Sequence, residues 1–258
     1  MKYLFLFDMD GTLTPPRKKM DFRIENMLAK IQKQGHEIGI ITGSDMNYIT
    51  QQCAVILDLS NVQPLDIHFL PCNGTKYSYR DKEIYVSNMR EKYSRDKWNS
   101  LIKYLIKCQL EIVERYDIPL SGHFIDYRDS MINWCPIGRN ANSDDRKAFE
   151  FKNNALSHES LRMQYIRRLR DFLLFKEMDI TIKLGGDTSF DIYPTGWDKA
   201  YPIEKGIFDE YNIYFIGDRC NQSGNDFEIY NHPKVHGYKT ESPEQTVEIV
   251  NKILLTIV

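Results

Sequence analysis

The sequence predicts an α/β fold: a parallel-sheet core interrupted by an inserted α+β domain. Three observations carry this. Strand and helix signals alternate through the first third, which requires crossover helices over a parallel sheet. The middle holds short strands next to one another, which favours antiparallel pairing. The last part returns to the first pattern. The boundaries fall at residues 1–83 and 191–258 for the core and 84–190 for the insertion.

The elements follow in order. Tyr3-Leu4-Phe5-Leu6-Phe7 is a continuous apolar run, suited to a strand buried on both faces. Residues 21–34 have helical spacing, with Phe22, Ile24, Met27, Leu28 and Ile31 on one side and Gly35 just past the end. Residues 37–41 read as the second strand, and Ser44 is placed to open a helix carrying Met46, Ile49 and Cys53. Residues 82–86 read as a strand. Ser94 is a predicted N-cap for a helix with Trp98, Leu101, Ile102, Leu105 and Leu110. Two strands, residues 122–127 and 131–135, flank the polar turn Arg128-Asp129-Ser130, and Ser143 and Ser157 are candidate caps of two further helices. Strands at 179–184 and 189–193 meet at Gly185-Gly186. Residues 213–216 form a short apolar strand ending at Gly217-Asp218, residues 235–238 another, and residues 243–255 a final helix with Val247, Val250, Ile253 and Leu254 inward.

Composition removes several function classes. The 258 residues carry 34 Lys+Arg against 36 Asp+Glu, a net charge of −2, so no large basic excess awaits nucleic acid. Neither Tyr3–Phe7 nor residues 38–41 approach the roughly 20 apolar residues of a membrane span. An N-terminus with one Lys, five apolar residues and then two aspartates does not read as a signal peptide, and a cytoplasmic protein is the expectation. The cysteines, Cys53, Cys72, Cys108, Cys135 and Cys220, are odd in number with no CxxC pair, as expected of reduced thiols. No HExxH is present. His232 and His236 are separated by Pro233 and followed by Gly237, which argues against a zinc-binding helix. Arg162, Arg167, Arg168 and Arg170 alternate with apolar residues at helical spacing and read as a solvated helix face.

The chemistry concentrates at Asp8-Met9-Asp10-Gly11-Thr12. Two carboxylates directly after a buried parallel strand lie at its carboxyl end, where such sheets keep their sites. Carboxylates this close repel one another unless a cation or proton joins them. Oxygen-only ligands suit Mg²⁺, with an adjacent phosphate completing its shell. One Asp can attack phosphorus while the other serves as acid and base. Three later segments could serve the same chemistry. Thr42-Gly43-Ser44 combines a hydroxyl with backbone N–H groups at a helix start, Lys199 offers an ammonium to phosphoryl oxygens, and Gly217-Asp218 with Ser223-Gly224-Asn225-Asp226 supplies a further carboxylate for the cation.

These four segments, in this order, resemble the motifs of haloacid-dehalogenase-type phosphotransferases. The likeness narrows with Asp8 to Arg17 (DMDGTLTPPR), Arg128-Asp129-Ser130-Met131-Ile132-Asn133, Pro136-Ile137-Gly138-Arg139, Arg146, Gly185-Gly186-Asp187-Thr188-Ser189-Phe190-Asp191 and Gly196-Trp197-Asp198-Lys199. That series is similar to the eukaryotic-type α-phosphomannomutases over essentially the whole chain. The resemblance implies a Rossmann-like core with a cap domain, and interconversion of mannose 6-phosphate and mannose 1-phosphate through a hexose 1,6-bisphosphate. The bisphosphate also acts as activator, and the product serves GDP-mannose biosynthesis.

It also implies roles. Asp8 becomes the nucleophile that forms an aspartyl phosphate, and Asp10 the general acid and base. Asp8, the Asp10 carbonyl and Asp218 hold Mg²⁺. Ser44 and Lys199 bind the transferring phosphoryl group. Arg17 contacts substrate, Arg128, Arg139 and Arg146 grip the other phosphate, and Met131, Asn133, Ser189 and Asp191 orient the sugar. A homodimer forms through the cap.

The arginines carry an argument of their own. Arg grips phosphate through paired, charge-assisted hydrogen bonds, and a substrate passing through a bisphosphate needs two anion sites at once. A monoester phosphatase needs one, and a binding protein that merely keeps the fold has no need of Asp8, Asp10, Ser44, Lys199 and Asp218 together. A mutase further requires that a sugar hydroxyl rather than water attack the phosphoenzyme, which a closing cap favours. The sequence departs from the family in Thr42-Gly43-Ser44-Asp45, where two glycines are more usual, and at Cys72, Asp187, Arg219 and the loop 220–222, and none of these departures removes a proposed catalytic group. Split at the predicted boundaries, the insertion is net +3 and the remainder net −5. The near-neutral total is thus a cancellation between an acidic core and a mildly basic insertion.

Overall fold

The protein is described by a computed structural model covering residues 2–15, 18–53, 66–80, 82–154, 159–222 and 224–257. The chain forms two compact units: Met1–Val86 with Trp197–Val258, and Ser87–Gly196. The junctions lie three and six residues beyond the boundaries drawn from sequence. Those boundaries would have cut two strands that the ladders keep whole.

The first unit holds a seven-stranded sheet ordered β11-β10-β1-β2-β3-β4-β5. Its strands are β1 (Lys2–Phe7), β2 (Glu37–Ile41), β3 (Ile67–Leu70), β4 (Lys76–Tyr79), β5 (Lys82–Val86), β10 (Tyr211–Gly217) and β11 (Val235–Lys239). The five strands from β11 to β3 are parallel, whereas β4 and β5 add an antiparallel hairpin at one edge. The unbroken apolar run of β1 has its physical reason here. Phe5 and Phe7 face a cluster with Ile24, Leu28, Ile31 and Val250, while Leu4 and Leu6 face Ile203, Phe208 and Ile229 on the opposite side.

Helices α1 (Phe22–Lys33), α2 (Met46–Gln52) and, after the insertion, α6 (Pro243–Thr256) belong to this unit. Asp21 caps α1 and Ser242 caps α6, each side chain accepting an N–H of the first turn. Two expectations change. Phe22 points to solvent, 66% exposed, because it sits at the first helical position, outside the inward stripe. Asp45 rather than Ser44 caps α2, accepting from Tyr48 N at 2.9 Å.

The second unit holds a four-stranded antiparallel sheet, β6 (Ile125–Tyr127), β7 (Ile132–Trp134), β9 (Ser189–Pro194) and β8 (Ile180–Gly185) in that order. Its helices are α3 (Arg95–Arg115), α4 (Ser143–Asn154) and α5 (Leu161–Phe175). Ser94 caps α3, and Trp98, Leu101 and Leu105 are buried along it, but Leu110 is exposed. Asn142, not Ser143, accepts the N–H groups of Asp144 and Asp145 at the start of α4, since the amide oxygen sits one residue ahead of the helix. Ser160 caps α5, and Ser157, the predicted cap, lies outside the described residues. Arg162 leaves the solvated face assigned to it. It is buried, with Nη1 donating to the carbonyls of Gly186 at 2.8 Å and Ser189 at 3.3 Å. All five cysteines are free and buried, and no described helix is long and apolar enough to cross a membrane.

Candidate active site

Parallel pairing brings the carboxyl ends of β1, β2, β3 and β10 to one edge of the sheet, and the residues expected to do chemistry follow those ends. Asp8 directly follows β1, its N–H donating to Ile216 O at 2.9 Å. Asp10 lies two residues on, where Gly11 N donates to Thr14 O at 2.7 Å. Gly11 takes φ +83°, and a Cβ there would lie 2.5 Å from Asp218 Oδ2. The loop therefore needs a residue without a side chain, both for its left-handed backbone and for the approach of Asp218.

Lys199 is wholly buried and donates to Asp8 Oδ1 and, at 2.6 Å, to Asp226 Oδ1. Asp226 is buried as well, and its second oxygen accepts from Arg219 N at 3.0 Å. Ligand oxygens of Asp8, Asp218 and Asp226 all lie within 4.8 Å of one another. Burial pushes the Asp8 carboxyl well above the usual carboxylate range; Lys199 pulls it down, and Asp226 and Asp218 push it further up. Asp218 is raised for related reasons, burial first and Asp226 next. Burial works against the Lys199 ammonium, but the attraction of Asp226 and Asp8 outweighs it and raises the pKa.

Three carboxylates around one ammonium leave an excess of negative charge. Asp218 Oδ1 is buried with no hydrogen-bond partner, as is Thr12 Oγ1. An all-oxygen donor set with an orphaned carboxylate oxygen fits a hard divalent cation held by Asp8 and Asp218.

Around this centre, Thr42 Oγ1 accepts Ser44 N at 3.2 Å, and the next loop is tied in by Cys72 N to Ser44 O and Asn73 N to Thr42 O, both 2.8 Å. Cys72 and Asn73 take φ of 51° and 62°, so this loop is held in an unusual backbone shape. Tyr48 Oη donates to Asp10 Oδ1 at 2.8 Å. Arg17 and Ser223 lie outside the described residues.

In the second unit Asn133, Ser189, Asp191, Arg139 and Arg146 form one polar network, and Arg128 and Met131 are held in the turn between β6 and β7. Asn133 Nδ2 donates to Asp191 Oδ1 at 2.6 Å and to Ser189 Oγ at 3.1 Å, and Asn133 Oδ1 accepts from Arg139 Nη1 at 3.3 Å. Arg146 donates to Ala141 O at 3.0 Å, Thr188 Oγ1 at 2.8 Å and Arg139 O at 3.1 Å, so it fixes the backbone that carries Arg139. Arg128 is buried and paired with Asp126 at 2.7 Å. Met131 is buried in the turn beside it, its carbonyl accepting Arg128 N at 2.8 Å.

Sequence reasoning missed three contributors: Asp226 as the anchor of Lys199, Tyr48 on Asp10, and Arg162 beneath Ser189. Asp226 had a signal, since it closes the Ser-Gly-Asn-Asp run after β10. Tyr48 and Arg162 had none, because nothing in helical spacing says which polar side chain turns inward.

Known proteins with a related chain or fold bear on this site. Residues 24–256 match the family Eukaryotic phosphomannomutase. The chain is 33% identical to a phosphomannomutase of Encephalitozoon cuniculi, covering 99% of this chain and 95% of that one. It is also 33% identical to phosphomannomutases of Arabidopsis thaliana (94% and 92% covered) and Saccharomyces cerevisiae (97% and 93%). In fold it resembles a Plasmodium falciparum IMP-nucleotidase, at TM-score 0.67 and 14% identity over 98% of this chain and 68% of that one. It also resembles a trehalose-6-phosphate phosphatase related protein, at TM-score 0.56 and 12% identity over 98% and 97%. With its Asp-x-Asp loop after β1, a parallel core and a separate antiparallel unit, the chain belongs to the eukaryotic phosphomannomutase family and carries the haloacid-dehalogenase fold.

Proposed function

We propose that this protein interconverts mannose 6-phosphate and mannose 1-phosphate through an aspartyl phosphate and a hexose 1,6-bisphosphate. The observation that carries this reading is the presence of two differently built sets of charged residues. One is the carboxylate and lysine centre in the first unit. The other is the arginine, asparagine and aspartate network in the second, which suits a phosphate and a polyol. A phosphatase acting on monoesters has use for the first set alone.

The chain's own residues would act as follows. An oxygen of Asp8 attacks phosphorus, and the ester bond breaks with its electron pair on the sugar oxygen. Asp10 gives that oxygen a proton. The free hydroxyl of a hexose monophosphate then attacks the aspartyl phosphate while Asp10 takes its proton, which restores the Asp8 carboxylate and forms the bisphosphate; the bisphosphate reorients, and Asp8 attacks its other phosphate. Lys199 and Ser44 stabilise the phosphoryl oxygens. Arg128, Arg139 and Arg146 serve the phosphate that is not transferred, and Met131, Asn133, Ser189 and Asp191 the sugar, with Arg17 as a further contact. Mg²⁺, held by Asp8, Asp218 and the Asp10 carbonyl, would neutralise charge on the transferring group. The protein is proposed to work as a cytoplasmic homodimer.

The test supplies mannose 1-phosphate, Mg²⁺ and trace glucose 1,6-bisphosphate, and follows mannose 6-phosphate and free phosphate together. Mannose 6-phosphate should dominate. Free phosphate as the main product would favour a sugar-phosphate phosphatase instead.

A further inference from the structure

The hydroxyl of Tyr48 reaches one specific oxygen of Asp10. We propose that Tyr48 is a positioning residue that fixes which carboxyl oxygen of Asp10 carries the transferable proton. The proposal rests on the reading of Asp8 as nucleophile and Asp10 as acid.

Three observations support it. First, Tyr48 Oη donates to Asp10 Oδ1 at 2.8 Å, a well-formed hydrogen bond. A carboxyl group whose Oδ1 accepts a hydrogen bond carries its own proton on Oδ2, so the donor atom becomes one oxygen out of two. Second, Tyr48 is itself located by the helix start. Its N–H is bound by the Asp45 cap at 2.9 Å, and α2 is anchored beneath by Ile49, which is fully buried in the core cluster. A phenol has few rotatable bonds, so a fixed backbone leaves the hydroxyl little freedom. Third, Asp10 lies in a constrained backbone, bridged to Thr14 and followed by the left-handed Gly11. Within that backbone, the Tyr48 hydroxyl opposes rotation of the Asp10 carboxyl plane.

The step it serves is the departure of the ester oxygen. As Asp8 forms its bond to phosphorus, the P–O ester bond breaks, its electron pair passes to the leaving oxygen, and the Oδ2 proton of Asp10 moves to that oxygen. Tyr48 keeps its own proton throughout. Correct placement of the donor matters most when the leaving oxygen is strongly basic. It matters little when the leaving group is already a stable anion.

This dependence separates a positioning role from a merely structural one. The experiment compares kcat/KM for phenyl phosphate and 2,4-dinitrophenyl phosphate, two small esters of similar shape whose leaving oxygens differ greatly in basicity. Tyr48→Phe removes one oxygen atom and should raise the dinitrophenyl-to-phenyl ratio about tenfold. Asp10→Asn, which removes the acid itself, should raise it about a hundredfold or more. Thr50→Ala, on the exposed side of the same helix with its hydroxyl bonded to Met46 O, should leave the ratio unchanged. Equal loss with both esters in Tyr48→Phe, or no loss with either, overturns the proposal. An unchanged ratio in Asp10→Asn overturns the underlying reading of Asp10 and the proposal with it, so the two failures are distinguishable.

Discussion

Lys199 joins a structural position to a proposed chemical one. Its ammonium is shared between Asp8 and Asp226 in a site closed to solvent. Replacing it with Met removes one partner of a buried charge cluster and leaves two carboxylates facing each other. Lys199→Met should therefore abolish turnover and destabilise the fold by about 3–5 kcal/mol, read from urea unfolding without divalent metal. The arginines of the second unit divide more finely. Arg146 donates to Ala141 O, Thr188 Oγ1 and Arg139 O, and Arg139 donates to Asn133 Oδ1 at 3.3 Å. Arg139→Ala should lower mannose 1-phosphate turnover at least tenfold more than cleavage of phenyl phosphate. Arg146→Ala should show the same selectivity together with a stability loss of about 1–3 kcal/mol. Equal loss of both activities in Arg139→Ala would count against a role at the second phosphate. At this scale the sequence was informative about charge and poor about direction. The Asp-x-Asp-Gly-Thr run reads as a candidate phosphoryl site because few other uses suit two adjacent carboxylates after an apolar strand. Arg162 looked solvated because its neighbours in sequence are charged, and only the fold shows its guanidinium turned toward the carbonyl of Ser189.

Among the elements, β3 was the hardest to see. It has four residues, and His68 breaks the apolar pattern that reveals β1, yet His68 is buried. Its neighbours explain this. His68 Nε2 donates to Glu37 at 2.5 Å, Nδ1 accepts from Tyr77 Oη at 2.8 Å, and the ring stacks on Tyr79 at 4.2 Å. A strand that binds its polar residue through partners on β2 and β4 cannot be recognised from four letters. The same contacts set a pH response. Burial lowers the His68 pKa below its ordinary 6.5, against the opposing pull of Glu37. Below pH 6.5 the unfolded chain takes up a proton that the folded chain resists, so stability falls as pH drops from 6.5 through the folded pKa. Urea midpoints should decrease between pH 7 and pH 5, and His68→Gln should flatten that slope. A slope identical in the variant would assign the effect to other groups. By contrast β1, β2 and α1 were legible because each is long enough for its burial pattern to show. The capping residues were displaced by one position at α2 and α4, since Asp45 and Asn142 compete with the adjacent serines for the same orphan N–H groups.

For the molecule as a whole, the charge division matters most. The acidic balance of the core has a local focus at Asp8, Asp218 and Asp226. A divalent cation that binds only the folded core must stabilise it by mass action, about 2.7 kcal/mol at a hundredfold excess over its Kd. Adding Mg²⁺ should raise the melting temperature of the protein, chelation should reverse this, and Asp218→Asn should remove most of the shift while leaving the metal-free fold intact. A shift that persists in Asp218→Asn would move the cation elsewhere.

The ladder between β1 and β10 has a further consequence for the order of events during folding. Lys2 pairs with Tyr211 and Phe7 with Ile216, so the first strand, which can pair with β2 early, gains its β10 neighbour only after the whole insertion has been made. Segment 87–196 closes on itself through much nearer contacts, and nearer contacts form sooner. Two of the three tryptophans, Trp98 and Trp134, lie in that segment, so refolding followed by fluorescence should run ahead of the recovery of phosphoryl transfer. A ribosome partway through this message therefore holds an early-settled middle and a first strand paired on one side alone, and the carboxylate cluster at the end of that strand is completed only when β10 brings Asp218 to Asp8.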